Sequence, residues 1–102
     1  MMPSRPPSFD RRLYLICYDI VDNRRRNRVA KVLTGYGMRV QKSVFECFLN
    51  EPRLKALRQR LKKEIKAAED QIRIYDLGMV TEAPVECLGV EVVHRYQSVL
   101  VV

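Results

Sequence analysis

The residues of this chain best placed for chemistry are Asp19 and the arginines that follow it. Leu13, Tyr14, Leu15, Ile16, Cys17 and Tyr18 form a run that stops at the Asp19 carboxylate, and Arg24, Arg25, Arg26 and Arg28 come close behind. A carboxylate near its reference pKa is ionised at neutral pH and can hold a divalent cation against a phosphate, while arginines neutralise a nucleic-acid backbone. Together they describe a phosphodiester site. An Asp ahead of a helix is also a common cap or turn former, and that reading of Asp19 stands beside the first. Asp22, nearer the helix, is the better cap. Magnesium usually takes one or two carboxylates plus waters and a substrate phosphate, so one Asp19 is a thin site that a second copy across a two-fold axis would complete.

The elements that must position these residues follow from the apolar pattern. A near-continuous apolar run from Arg12 to Ile20 predicts a strand buried on both faces. Asp22 or Asn23 then caps a helix over about residues 24–35, with Val29, Val32, Leu33 and Tyr36 at helical spacing and Gly35 and Gly37 as the stop. Arg24, Arg25, Arg28 and Lys31 fall away from that apolar stripe, and Arg26 lies at its boundary. Met38 to Leu49 is extended chain, read either as one long strand or as a hairpin bent near Lys42 and Ser43. Asn50 caps a second helix with Pro52 in its first turn and Leu54, Leu57, Leu61, Ile65 and Ala68 on one face. Gln71 to Leu77 reads as a strand ended by Gly78, with weaker strand signals at Val85 to His94 and Ser98 to Val102. This order predicts an α+β sandwich with both helices on one face of the sheet.

The 102 residues suit a single domain, and a composition 47% hydrophobic and 30% charged describes a chain that folds. The net charge of +7 is unevenly placed. Residues 1–42 hold ten Lys/Arg against Asp10, Asp19 and Asp22, whereas residues 43–102 carry nine of each sign and read as an ordinary solvated surface. Nucleic acid is the anionic partner such a distribution fits; a membrane surface fits less well, because no basic amphipathic segment carries Trp or a large aromatic face. Cys17, Cys47 and Cys87 lack CxxC spacing, which points to neither a zinc site nor a disulfide framework, and Cys17 and Cys47 read as small core residues. His94 is the only histidine and has no partner at motif spacing, so it reads as structural. P-loop, GxGxxG, GxSxG and RNP signatures are all missing. No stretch reaches the ~18 apolar residues of a membrane span, and MMPSRPPSFDRR lacks a signal-peptide centre, so a cytoplasmic location is expected.

The segments YLICYDIVDNRRRNRVAKVL, GMRVQKSVFECFL, PRLKALRQRLKKEI and QIRIYDLG, in this order, closely resemble the CRISPR-associated protein 2 family, over about Leu13 to Gly78. The resemblance implies a ferredoxin-like βαββαβ fold with an additional C-terminal strand that crosses to the partner in a homodimer. Together with the clustered prolines and serines at the start, it divides the chain into a flexible N-terminal tail (1–11), a ferredoxin-like core (12–78) and a C-terminal β segment (79–102) expected to pair with the dimer partner. It also implies a prokaryotic protein of CRISPR adaptation, the small partner of the adaptation integrase. Family members are described as endonucleases on RNA or double-stranded DNA that use magnesium or another divalent cation such as manganese, and also as non-catalytic scaffolds that hold DNA between integrase dimers. A stand-alone toxin-like ribonuclease is a third reading of the same fold. The family's strand-end aspartate falls on Asp19, as catalytic residue and metal ligand. Tyr18, Arg26, Arg28, Arg39, Ser43 and Phe45 match other family positions tied to activity or substrate contact, and Arg24 and Arg25 join them on the basic helix. Both ends depart from the family pattern, in the Pro-rich tail and in residues 79–102.

Overall fold

The computed structural model describes residues 11–80 and 84–90. Among these residues six elements run in the order β1 (Arg12–Asp19), α1 (Asn23–Thr34), β2 (Met38–Gln41), β3 (Val44–Leu49), α2 (Glu51–Glu64) and β4 (Gln71–Met79). The four strands form one antiparallel sheet in the order β2-β3-β1-β4. Both helices cover the same face, giving the ferredoxin-like βαββαβ arrangement.

Strand alternation divides the sheet residues between two surfaces. Tyr14, Ile16 and Tyr18 of β1 and Phe45, Cys47 and Leu49 of β3 turn toward the helices and meet Val29 and Leu33 of α1 and Leu54, Leu57 and Leu61 of α2. The other set, Leu13, Leu15, Cys17 and Asp19 with Val44, Glu46 and Phe48, belongs to the helix-free face, where Leu15 lies between Glu46 and Tyr75 and Cys17 between Val44 and Arg73. Burial in the core pushes the Cys47 thiol up to about 12, so Cys47 is an inert packing group. Cys17 is only half-buried.

Local signals account for most boundaries. The Asp22 carboxylate accepts from the Arg25 N–H at 2.9 Å and caps α1, and Asn50 accepts from the Arg53 N–H at 3.0 Å and caps α2. Asn50→Ala should lower the stability of the fold by about 1 kcal/mol, read as a shift of the urea midpoint at unchanged slope. Gly35 closes α1 in ordinary right-handed backbone, with its N–H on the Val32 and Leu33 carbonyls. Gly37 matters for space instead. A Cβ there would collide with the Cys47 sulfur and the Glu46 carbonyl oxygen, so only glycine lets the chain enter β2 this close to β3.

One open expectation resolves and three shift. Met38 to Leu49 is a hairpin turning at Lys42 and Ser43, as one of the two sequence readings had it. β4 runs one residue past Gly78, which at φ +104° sits where the β1–β4 register slips and donates its N–H to Asp76. Ala68 lies beyond the end of α2 and is exposed, because the chain leaves the helix at Ile65 in extended backbone. Residues 85–90, the described part of the strand expected over Val85 to His94, are not strand. The N-terminal tail up to residue 10, His94 and the strand expected at Ser98 to Val102 lie outside the described residues.

Candidate functional site

Asp19 is the last residue of β1, and its position on the helix-free side of the sheet follows from alternation with the core residues Tyr18 and Ile20. Its side chain is exposed and, among the described residues, has no hydrogen-bond or ion-pair partner. It borders a recess of about 280 Å³ lined also by Tyr18, Ile20, Arg26, Lys42 and Ser43. Four residues chosen from the sequence, Tyr18, Asp19, Arg26 and Ser43, therefore meet in one place.

The hairpin turn reaches this recess because Tyr18 clasps it. The Tyr18 N–H donates to the Ser43 carbonyl at 3.1 Å, and its hydroxyl donates to the Lys42 carbonyl at 3.3 Å while accepting from the Arg39 guanidinium at 3.1 Å. Arg39 also lies 5.2 Å from the centre of the Phe45 ring, a cation–π distance. Its Nε is buried with no hydrogen-bond partner among the described residues. Phe45 itself is 1% exposed, so its part is to hold Arg39 and Tyr18, not to stack on a base.

The arginines of α1 separate according to what neutralises them. Arg25 is not free for phosphate, as its position off the apolar stripe suggested. Its Nε donates to Asp70 at 2.7 Å and its terminal nitrogen to Glu69 at 2.9 Å, which cancels its charge within the chain. Arg28 is paired with Glu64 at 2.8 Å. Arg26 instead donates to the Ile20 and Val21 carbonyls and the Asn23 side chain. These acceptors carry no net charge, so Arg26 clasps the β1–α1 loop and still leaves a positive charge on the recess. Arg24 is exposed without an ion-pair partner among the described residues.

Two contributors escaped the sequence reading. Lys42 lines the recess from the hairpin turn, a place visible only once the extended segment is known to bend. Asp70, 8% exposed, accepts from the Val21 and Lys66 N–H groups at 3.2 and 2.9 Å as well as from Arg25. The Arg25 guanidinium and these two backbone donors hold its carboxyl well below the usual carboxylate range. Asp70 thus ties the loop that follows Asp19 to the start of β4. No sequence signal marked it, since its partners are distant in the chain.

Among the described residues no group of three or more His, Cys, Asp and Glu could hold a metal ion. Asp19 is an exposed carboxylate that, among the described residues, carries no ion pair.

Comparison with known proteins places the chain. The family model described as CRISPR associated protein Cas2 matches residues 12–83. The chain belongs to the Cas2 family. It is similar to the CRISPR-associated endoribonuclease Cas2 3 of Synechocystis, 47% identical over 77 residues that cover 76% of this chain and 84% of that one. Among solved structures, Streptococcus pyogenes Cas2 at 33% identity superposes with a TM-score of 0.63 over 76% of this chain and 99% of that Cas2. A chain of a partial Cas6-RT-Cas1-Cas2 complex matches at 37% identity and a TM-score of 0.58, covering 65% of this chain and 78% of its own length. The Cas2 match spans all six elements and the whole recess around Asp19.

Proposed function

We propose that this Cas2-family chain acts in CRISPR adaptation as a homodimeric, metal-dependent endonuclease that cleaves RNA or double-stranded DNA. The observation that carries the reading is Asp19, a strand-end carboxylate with no partner among the described residues, at the mouth of a recess bearing the charges of Arg26 and Lys42. The dimer would form on the helix-free face of the sheet. Phe48 and Leu15 are half-buried there and Tyr75, the β4 partner of Leu15, is 42% exposed, an apolar surface that a second copy would cover. Asp19 sits at the rim of that face, so a two-fold partner would bring a second carboxylate to it.

Asp19, alone or with the partner's copy, would hold Mg2+ or Mn2+. The ion would supply phosphate polarisation and a water of lowered pKa. The chain's own groups do the rest. Arg26 and Lys42 attract the phosphodiester and offset charge that grows on it, and Tyr18 with Arg39 keeps the hairpin turn beside Asp19. Such a protein degrades RNA or duplex DNA only with added Mg2+ or Mn2+, and chelation stops it; cleavage that persists undiminished in chelator would rule the reading out.

A second reading, a non-catalytic scaffold for DNA in the integrase complex, draws support from the single carboxylate and the absence of a three-donor cluster among the described residues. It expects Asp19→Ala to sustain spacer acquisition, whereas the nuclease reading with cleavage as the cellular task expects acquisition to fail. The relative found in a complex with Cas1 favours an adaptation role over a stand-alone ribonuclease.

A further inference from the structure

The second half of the chain, neutral in total, is strongly polarised along its length. Residues 51–66 hold seven Lys/Arg against Glu51 and Glu64, and the remainder of residues 43–102 holds two against seven. The cations are therefore gathered on α2 and the turn after it. None of the six on α2 forms an ion pair among the described residues. That contrasts with α1, where Arg25 and Arg28 are neutralised.

Two of the α2 cations converge on one aromatic ring. The Arg53 guanidinium lies 4.4 Å from the centre of the Tyr36 ring and donates to the Gly35 carbonyl at 3.3 Å, and Arg60 lies 5.9 Å from the same ring. Like charges held near one another without a carboxylate repel, and an anion placed between them relieves that cost. The aromatic contact also restrains both guanidiniums, so less side-chain freedom is lost when they grip a phosphate. The Arg28–Glu64 bridge fixes α1 beside α2, and Arg24 and Lys31 stand on the same stripe of α1 as Arg28. The cationic groups thus continue across both helices. This surface belongs to the helical layer, on the side of the sheet away from Asp19.

We infer that the helical layer is a second nucleic-acid contact, in which Arg53 and Arg60, organised by Tyr36, bind backbone phosphates independently of the Asp19 recess. The inference rests on the reading of this chain as a nucleic-acid-binding protein. Its chemistry is electrostatic and sequence-independent. Each phosphate neutralised steepens the salt dependence of binding by nearly one unit of log affinity per log salt.

The test is fluorescence anisotropy of a labelled DNA duplex titrated with the full chain across a series of salt concentrations. The double variant Arg53→Gln, Arg60→Gln should bind about tenfold more weakly at low salt, with a salt slope shallower by about two. Arg53 also touches the end of α1, so Arg60→Gln alone, which removes no hydrogen bond seen here, provides the second arm and should lower the slope by about one. If the wild-type chain binds and both variants keep its slope, the inference is overturned and the cationic layer is left for an acidic protein surface. Failure of the wild-type chain to bind duplex or RNA at all would overturn the nucleic-acid reading beneath it as well.

Discussion

Asp19→Ala abolishes metal-dependent cleavage, a loss of about a thousandfold or more, while the protein stays folded and dimeric. The size follows from what a bound cation contributes, several kcal/mol of charge stabilisation together with an activated water, at about 1.4 kcal/mol for each factor of ten in rate. The intact fold follows from exposure. The side chain has no partner among the described residues, and removal of such a group changes stability by no more than about 0.5 kcal/mol. Cleavage assays on RNA and duplex DNA with and without Mn2+, beside a thermal melt and a sedimentation profile, check all parts at once. Retained metal-dependent cleavage by the variant would remove Asp19 from the mechanism.

Asp70→Asn produces the second large effect, on stability and activity together. The carboxylate is buried, paired with Arg25, and takes the Val21 and Lys66 N–H groups; an amide keeps the size and loses the charge that Arg25 requires. Arg25, 12% exposed, is then left underneutralised beside Glu69 alone. The melting temperature at neutral pH should fall by several degrees. The pH dependence has a definite sign. The Asp70 pKa is depressed in the folded state, so its contribution is complete above the unfolded value near 4 and is lost as pH falls through and below the carboxylate range. The gap between wild type and variant should accordingly narrow on acidification. Because Val21 is two residues from Asp19, cleavage should also slow, on the order of tenfold, from a loosened loop. A gap that stays constant from neutral pH down to pH 3 would show that the Arg25–Asp70 pair is not its source.

The parts legible in the sequence are those written in local chemistry. Leu54, Leu57 and Leu61 at helical spacing after Asn50 define α2, and the apolar run into Asp19 defines β1, because burial pattern and capping are properties of neighbouring residues. The hairpin was only half visible. Lys42 and Ser43 lack Gly, Pro or Asn, and the turn is held from outside by Tyr18. The basic helix shows the limit most clearly. Arg24, Arg25, Arg26 and Arg28 are alike in the sequence, yet Arg25 and Arg28 find acids 45 and 36 residues away while Arg26 finds carbonyls. Whether a cation is free depends on the tertiary fold, whereas the charge on α2 is written in the sequence and is hidden only by a sum over the whole second half.

The most direct test of the central claim is anomalous diffraction from crystals of the dimer grown with Mn2+ and a short nucleic acid. An anomalous peak is expected within coordinating distance of an Asp19 carboxylate oxygen and against a phosphate, with the partner's Asp19 close by across the two-fold axis. Well-ordered Asp19 side chains with no peak beside them, and nucleic acid bound elsewhere, would contradict it.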